Sequence, residues 1–268
     1  MIIDNYTIKG SSHEICEDSS LSYISVEVEN IGINLNRATG IICDGCSSEN
    51  NTHLGSSIIM YSAKKFLDIG LDDIKLIMSN SIDVCGILGI DKNCLYSTLL
   101  YLEELNETIK IKLYGDGVFV FKYDFDEQLK YCKFEYTHNA PFYPIYYYDK
   151  DLFEKYIEIS KNEYLLRTND GVKNSIKFQI QDSKEYTNYF CKDHLEFIAI
   201  LSDGIFSFID EKNKSCVYSD LELFNKLFDF KLINKNFIKR RLKRFIQDMS
   251  KEGYKNFDDI SIAIFHKE

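Results

Sequence analysis

The sequence predicts an α/β (α+β) fold in which two central β-sheets pack as a sandwich flanked by helices. Three observations lead there. Several segments alternate apolar and other residues with a period of two, the mark of strands. Three longer segments repeat apolar residues at helical spacing. The chain has 268 residues, 45% of them hydrophobic, and two prolines, Pro141 and Pro144. With no Ser/Gly-rich linker, that length supports one large core, so residues 1–268 are read as a single domain.

In chain order, the first alternation sets Ile24, Val26 and Val28 against Tyr23, Ser25 and Glu27. Ile109, Ile111 and Leu113 alternate with Lys110, Lys112 and Tyr114, and Val118, Val120 and Lys122 with Phe119, Phe121 and Tyr123. Gly115-Asp116-Gly117 joins the last two and reads as a hairpin, because glycine supplies positive φ. Shorter apolar runs are Ile41 to Cys43, Phe197 to Leu201 and Ile260 to Phe265. A helix is expected from Thr52, with Leu54, Ile58 and Tyr61 on one stripe and Ile59, Ala63 and Phe66 on another. A second is expected from Asn93, along Leu95, Leu99 and Leu102. A third follows Ile238, Leu242, Phe245 and Met249, and Lys239, Arg240, Lys243 and Arg244 on its other face read as solvated. Tyr131 to Tyr148 reads as irregular, and Ser160 to Asn188 as polar and poorly periodic.

A formal net charge of −10 argues against nucleic acid as a partner, for which a basic face is expected. No apolar run has the length to span a bilayer, and the opening MIIDNYTIKG lacks the basic start and apolar core of a signal peptide. No membrane partner is expected. Eight scattered cysteines read as reduced thiols of a cytoplasmic protein. Cys43 and Cys46 form a CxxC pair without the further ligands that zinc needs.

The chemistry is expected from carboxylates at strand ends. Asp44 follows Ile41-Ile42-Cys43 and precedes Gly45; Asp203 follows the run ending at Ser202 and precedes Gly204. Asp258 and Asp259 precede the final strand, Glu17 and Asp18 lead into the first alternating one, and Asp116 lies between two glycines. Any one Asp-Gly pair is most simply a turn. Together, hard oxygen ligands at converging strand ends suit Mg or Mn rather than zinc or copper. His53, His138, His194 and His266 are scattered and read as non-catalytic; Ser202 lacks the glycines of a nucleophile elbow.

In order, the chain reads SSHEICED, ICDGCSSENNTHLGSS, LYGDGVFVF, ILSDGIFSF and FDDISIAIF. This succession, spanning nearly the whole chain, resembles the protein phosphatase 2C family, bacterial members especially. The resemblance implies a metal-dependent serine/threonine phosphatase holding two Mg2+ or Mn2+ ions at one end of the sandwich. Asp44 resembles the acid that bridges both ions, and the Gly45 carbonyl a ligand of the second. Asp203 and Asp258 resemble further ligands of the first. Glu17 and Asp18 match the early acidic pair that reaches the second, and Asp116 matches a motif associated with a weaker third ion. Asp259 stands where the family usually has Asn and takes a supporting role. The implied partners are a phosphoprotein substrate and a Ser/Thr kinase acting opposite it.

Two departures from the pattern stand out. His13 occupies the place of a frequent phosphate-binding arginine, and is expected either to bind phosphate or to be a packed side chain near the Glu17-Asp18 turn. Cys46-Ser47-Ser48 replaces a common His-Gly-Gly. An alternative expectation is a weak or inactive module of the same fold that binds a phosphoprotein or partner kinase. A structural calcium domain is a lesser one, since no DxDxDG loop is present.

Overall fold

The structure, a computed structural model, describes residues 1–28, 34–136, 140–160, 163–168, 176–179, 185–210, 212 and 214–268. His138 and parts of the Ser160 to Asn188 stretch lie outside the described residues. The strands are β1 (Ile2–Ile8), β2 (Ser19–Val28), β3 (Asn34–Cys43), β4 (Leu99–Leu105), β5 (Thr108–Tyr114), β6 (Gly117–Tyr123), β7 (Lys130–Tyr136), β8 (Glu163–Thr168), β9 (Ile176–Gln179), β10 (Tyr186–Cys191), β11 (Leu195–Leu201), β12 (Phe208–Ile209), β13 (Lys255–Asn256) and β14 (Ile260–His266). The helices are α1 (Thr52–Leu67), α2 (Ile74–Leu88), α3 (Lys150–Ser160), α4 (Asp220–Leu227) and α5 (Phe237–Lys251).

A seven-stranded sheet runs β1-β14-β11-β6-β7-β8-β9, and a five-stranded sheet runs β10-β5-β4-β3-β2. All their pairings are antiparallel. Strand alternation divides the buried side chains into layers. Ile42, Leu100, Leu102, Ile109, Ile111, Phe119, Ile198, Ile200 and Phe265 meet in one cluster between the sheets. On the outer face of the larger sheet, Val118, Val120, Phe197, Ala199, Ile262 and Ile264 pack against α4 and α5. On the outer face of the smaller sheet, Ile41, Leu99, Tyr101 and Tyr114 pack against α1 and α2. The expected helix-flanked sandwich is what forms.

Three local expectations are corrected. From Asn93 the chain makes a 3-10 turn, Lys92–Leu95, and then β4 rather than a helix. Leu99 to Leu102 is fully buried on both faces of its sheet, and in so apolar a run helical spacing arises without a helix. The Gly115-Asp116-Gly117 link is not a hairpin: β5 belongs to the smaller sheet and β6 to the larger. With φ of +101° and +135°, its glycines turn the chain from one sheet to the other. The helix expected from Thr52 forms as α1, with Ile59 and Ala63 of one stripe buried and Leu54 and Tyr61 of the other exposed. Tyr131 to Tyr148 is in part regular, since β7 runs to Tyr136 and Pro144–Tyr147 forms a 3-10 turn.

Candidate active site

The acids are placed by the ends of strands from both sheets. Asp44 leaves β3 with its backbone fixed on both sides: its N–H donates to Thr98 Oγ1 at 3.0 Å, and its carbonyl accepts from the Thr98 N–H at 2.8 Å. Gly45 bridges to Ser97 and lies where a side chain would collide, for an added Cβ would come 2.8 Å from the Glu17 carbonyl oxygen. That close approach brings the early acidic pair against the Asp44 turn. Ser56 of α1 donates to the same Glu17 carbonyl at 2.6 Å, so α1 also holds the pair in place.

Asp259 is the organiser on the other side. It accepts from the Gly10 N–H at 2.7 Å and the Glu17 N–H at 2.5 Å, tying the loop before β2 to the start of β14. Burial alone would raise its carboxyl, but these two donors and His13 more than offset that and hold it below the usual carboxylate range. Asp203 opens a 3-10 turn, Asp203–Phe206, just beyond β11. Ser202, before it, exchanges hydrogen bonds with Ser261 of β14, and Ser207, after it, accepts from the Asp258 N–H at 2.9 Å. Asp203 and Asp258 therefore leave neighbouring strands side by side.

The carboxyls are close enough to act on one another. Asp44 is driven well above the usual range by burial first, then by the charges of Asp18, Asp203, Asp116 and Asp258. Burial and then Asp203 do the same to Asp116. Asp258 is raised by burial and Asp203, against the pull of His13. Asp18, itself buried, faces Asp44, Ser202 and Ser261; burial raises it further than those contacts lower it. The sequence-predicted acids from β2, β3, β11, β14 and the inter-sheet turn thus gather at one end of the sandwich.

His13 joins them. Its Nδ1 lies 3.1 Å from Asp259 Oδ2 and 3.9 Å from Glu17 Oε2, and its Nε2 lies 3.4 Å from Asp258 Oδ1. The Asp259 contact is an ion pair rather than a well-directed hydrogen bond, since Nδ1 finds no acceptor of suitable geometry. Burial lowers the imidazole's pKa, but the surrounding acids outweigh it and the net shift is upward.

Among the described residues, no three His, Cys, Asp or Glu side chains are drawn together tightly enough to hold a metal ion. In kind, however, the donors fit a hard divalent cation. They are carboxylates and a backbone carbonyl. Glu17 Oε2 and Asp18 Oδ2 are buried without a hydrogen-bond partner, and such atoms demand either a proton or a cation.

Sequence reasoning missed two neighbours of this cluster. Tyr143, buried, is influenced by Cys46, Asp116 and Asp44. Lys133 of β7 pairs with Glu135 at 2.7 Å and sits 3.4 Å over the Phe206 ring at the end of the Asp203 turn. Neither carries a motif: Lys133 is placed by the register of β7 on β6, and Tyr143 by the segment that leads into the Pro144–Tyr147 turn. His194 and His266 lie elsewhere, against the Phe125 ring and at the far end of β14, while His53 is in the first turn of α1, where its carbonyl shares the Ser56 hydroxyl with that of Glu17.

No family model matches the chain, and no curated protein matches its sequence. Solved structures do match. A variant of a bacterial serine phosphatase aligns over 100% of this chain and 99% of its own, with a TM-score of 0.60 and 10% identity. The fold is that of the bacterial PP2C-type serine phosphatases. The serine/threonine phosphatase Stp1 from Staphylococcus aureus aligns over 99% of this chain and 94% of its own, with a TM-score of 0.55 and 10% identity. The PP2C phosphatase domain of SpoIIE from Bacillus subtilis, with part of its regulatory domain, aligns over 100% of this chain and 64% of its own, with a TM-score of 0.52 and 14% identity. At these identities the likeness speaks for the PP2C-like fold alone.

Proposed function

We propose that the chain, acting as one domain over residues 1–268, is a metal-dependent serine/threonine protein phosphatase. The observation that carries this reading is the gathering of half-buried and buried carboxyls that raise one another at the strand ends, with orphaned buried oxygens on Glu17 and Asp18. Uncompensated buried acids are costly unless something positive joins them. Asp44, Asp203 and Asp258 would hold one Mg2+ or Mn2+ ion, and Asp44, the Gly45 carbonyl, Glu17 and Asp18 a second. Asp116 would serve a weaker third. When bound, such ions supply an activated water and stabilise charge developing on a phosphoryl group.

The chain's own residues do the rest. Asp259 fixes the loop that carries Glu17 through two backbone donors. The acids around His13 favour its protonated form, which would put positive charge beside Asp258, where a phosphate would approach. A phosphoprotein is the proposed substrate, and a kinase that phosphorylates it the proposed counterpart. The thiols along the chain suit a reducing, cytoplasmic setting. Among the described residues no helix is long and apolar enough to cross a membrane.

One observation favours a second reading, a module that binds phosphoproteins with little turnover. The His13 ring is engaged by three carboxylates instead of standing open to a phosphate. Hydrolysis of a generic aryl phosphate separates the two. Activity should need added Mn or Mg, vanish with chelator and fall at least about hundredfold in Asp44→Asn, the scale of losing one electrostatic anchor. Full activity in excess chelator would overturn the metal mechanism. Phosphopeptide binding without turnover would establish the second reading.

A further inference from the structure

Between Phe230 and Arg244 stand seven basic side chains and no acidic one, in a chain of net charge −10, so the rest of the molecule carries −17. Lys231, Lys235, Lys239, Arg240 and Lys243 are exposed, as is Arg244 at 70% of its side-chain surface. On α5, Lys239, Arg240, Lys243 and Arg244 fall on one side, because residues three and four apart share a helix face. This surface lies far from the acids. Phe237, at the start of α5, packs on His266 at the end of β14, whereas Asp258 and Asp259 precede its beginning. Seven residues of strand separate the two ends by about 20 Å.

The surface is also shaped. A cavity of about 320 Å³ is walled by Phe230, Leu232 and Phe237 and by four basic side chains, Lys231 and three arginines, against two acidic ones, Asp229 and Asp248, the latter 3.7 Å from Arg244. Two of the guanidiniums are fixed in advance. Arg241 donates from Nε to the Leu227 carbonyl at 2.9 Å and from Nη2 to the Lys226 carbonyl, and Arg240 donates from Nη1 to the Lys235 carbonyl at 2.6 Å. Each fork keeps N–H donors beyond those it uses. Leu232 is 68% exposed at the rim.

We propose that this face docks an acidic segment of a partner protein, with an apolar side chain of that segment seated in the cavity. Fixed forks and an apolar wall suit carboxylates beside one apolar anchor, and little ordering is needed on this side of the interface. An anionic membrane fits less well: Phe237, Ile238, Leu242, Phe245 and Met249 are buried in the core, which leaves α5 no apolar face to insert. A nucleic acid fits less well too, since a long polyanion would run from the patch onto the acidic remainder.

The test is fluorescence anisotropy on the whole chain, without metal, using a fluorescein-labelled peptide of aspartate and glutamate with one central phenylalanine. Hydrolysis plays no part in the readout, so the result is independent of the phosphatase proposal. Saturable binding is expected, weakening as salt rises. Lys243→Glu/Arg244→Glu should weaken it at least about tenfold, and Lys231→Glu/Lys235→Glu, which leaves α5 untouched, should also weaken it. Lys75→Glu/Lys155→Glu, a matched reversal elsewhere on the surface, should not. Replacing the peptide's phenylalanine by alanine should weaken binding as well. The proposal is overturned if binding does not saturate, if both patch reversals bind like the parent, or if double-stranded DNA or phosphatidylserine vesicles bind this face more tightly than the peptide.

Discussion

The imidazole of His13 is held by acids on three sides, and its role follows from that position. Asp259, Asp258 and Glu17 raise its pKa against the opposing effect of burial. A group raised in the folded state contributes stability that is complete below its unfolded pKa, about 6.5, and is lost as pH rises through the folded value. His13→Ala should therefore lower the melting temperature most in mildly acidic buffer and progressively less toward alkaline pH. A difference that grows with pH would contradict this charge assignment. The same charge lies where a phosphate would meet Asp258. His13→Ala should raise the Michaelis constant roughly tenfold, the worth of one charge-assisted hydrogen bond of about 1.5 kcal/mol. His13→Arg should lower it, and unchanged kinetics in both variants would leave His13 a packing residue.

At the scale of elements, alternation located β5 and β6 correctly but did not show what covers their second face. Lys110 and Lys112 look like the solvent side of a half-buried strand, yet both are buried, at 8% and 7% exposure. They face the α1–α2 layer, where Lys110 pairs with Asp72 and Lys112 lies 3.2 Å from the same carboxylate. Tyr101 donates to Asp72, and Arg37 pairs with Glu103 alongside. Asp72 lies between α1 and α2, so this network fixes the helix pair to the smaller sheet. Only the three-dimensional partner shows that a lysine in a strand is neutralised, and a sequence does not name partners forty residues away. α2 was legible in principle from Asp73 at its N-cap and Gly89 at its C-cap, but its core face is mixed with Ser81. Burial would raise the Asp72 carboxyl, but its lysine and tyrosine partners lower it overall. Its contribution is therefore present at neutral pH and lost as pH falls through the folded value. Asp72→Asn should cost about 3 kcal/mol near pH 7, the low end for breaking a buried pair. Urea unfolding at pH 7 and pH 3 measures this, and an equal cost at both would show that packing rather than charge is responsible.

Across the whole molecule, Asp44, Asp116 and Asp203 were legible because each follows a strand beside a glycine, and the order of all the acids along the chain carried the resemblance. What joins them was not legible. Asp44 meets Asp18 through Gly45 packed on the Glu17 carbonyl, and Asp116 reaches Asp203 because a two-glycine turn crosses between sheets instead of closing a hairpin. The fold thus concentrates like charge at one end, and an active site built so should weaken the metal-free protein. Asp44 shows the sign. Its carboxyl is raised well above the usual range, by burial and then by four acids. A carboxyl raised on folding stabilises below its unfolded pKa and loses that contribution as pH rises through the folded value. The metal-free chain should therefore melt lower as pH increases, and added Mn or Mg should restore it by binding the folded state. Asp44→Asn keeps the shape and removes the charge. In chelator it should melt higher than the parent, with the gap wider at pH 8 than at pH 5, because a carboxyl raised on folding carries less charge as pH falls. A gain of about 1 kcal/mol would read as roughly 2–4 °C at this size. The same variant should lose the metal-induced rise. A variant that melts below the parent at pH 8 in chelator would mean that Asp44 is held by attraction, and that the acids at this end of the sandwich are already satisfied without a cation.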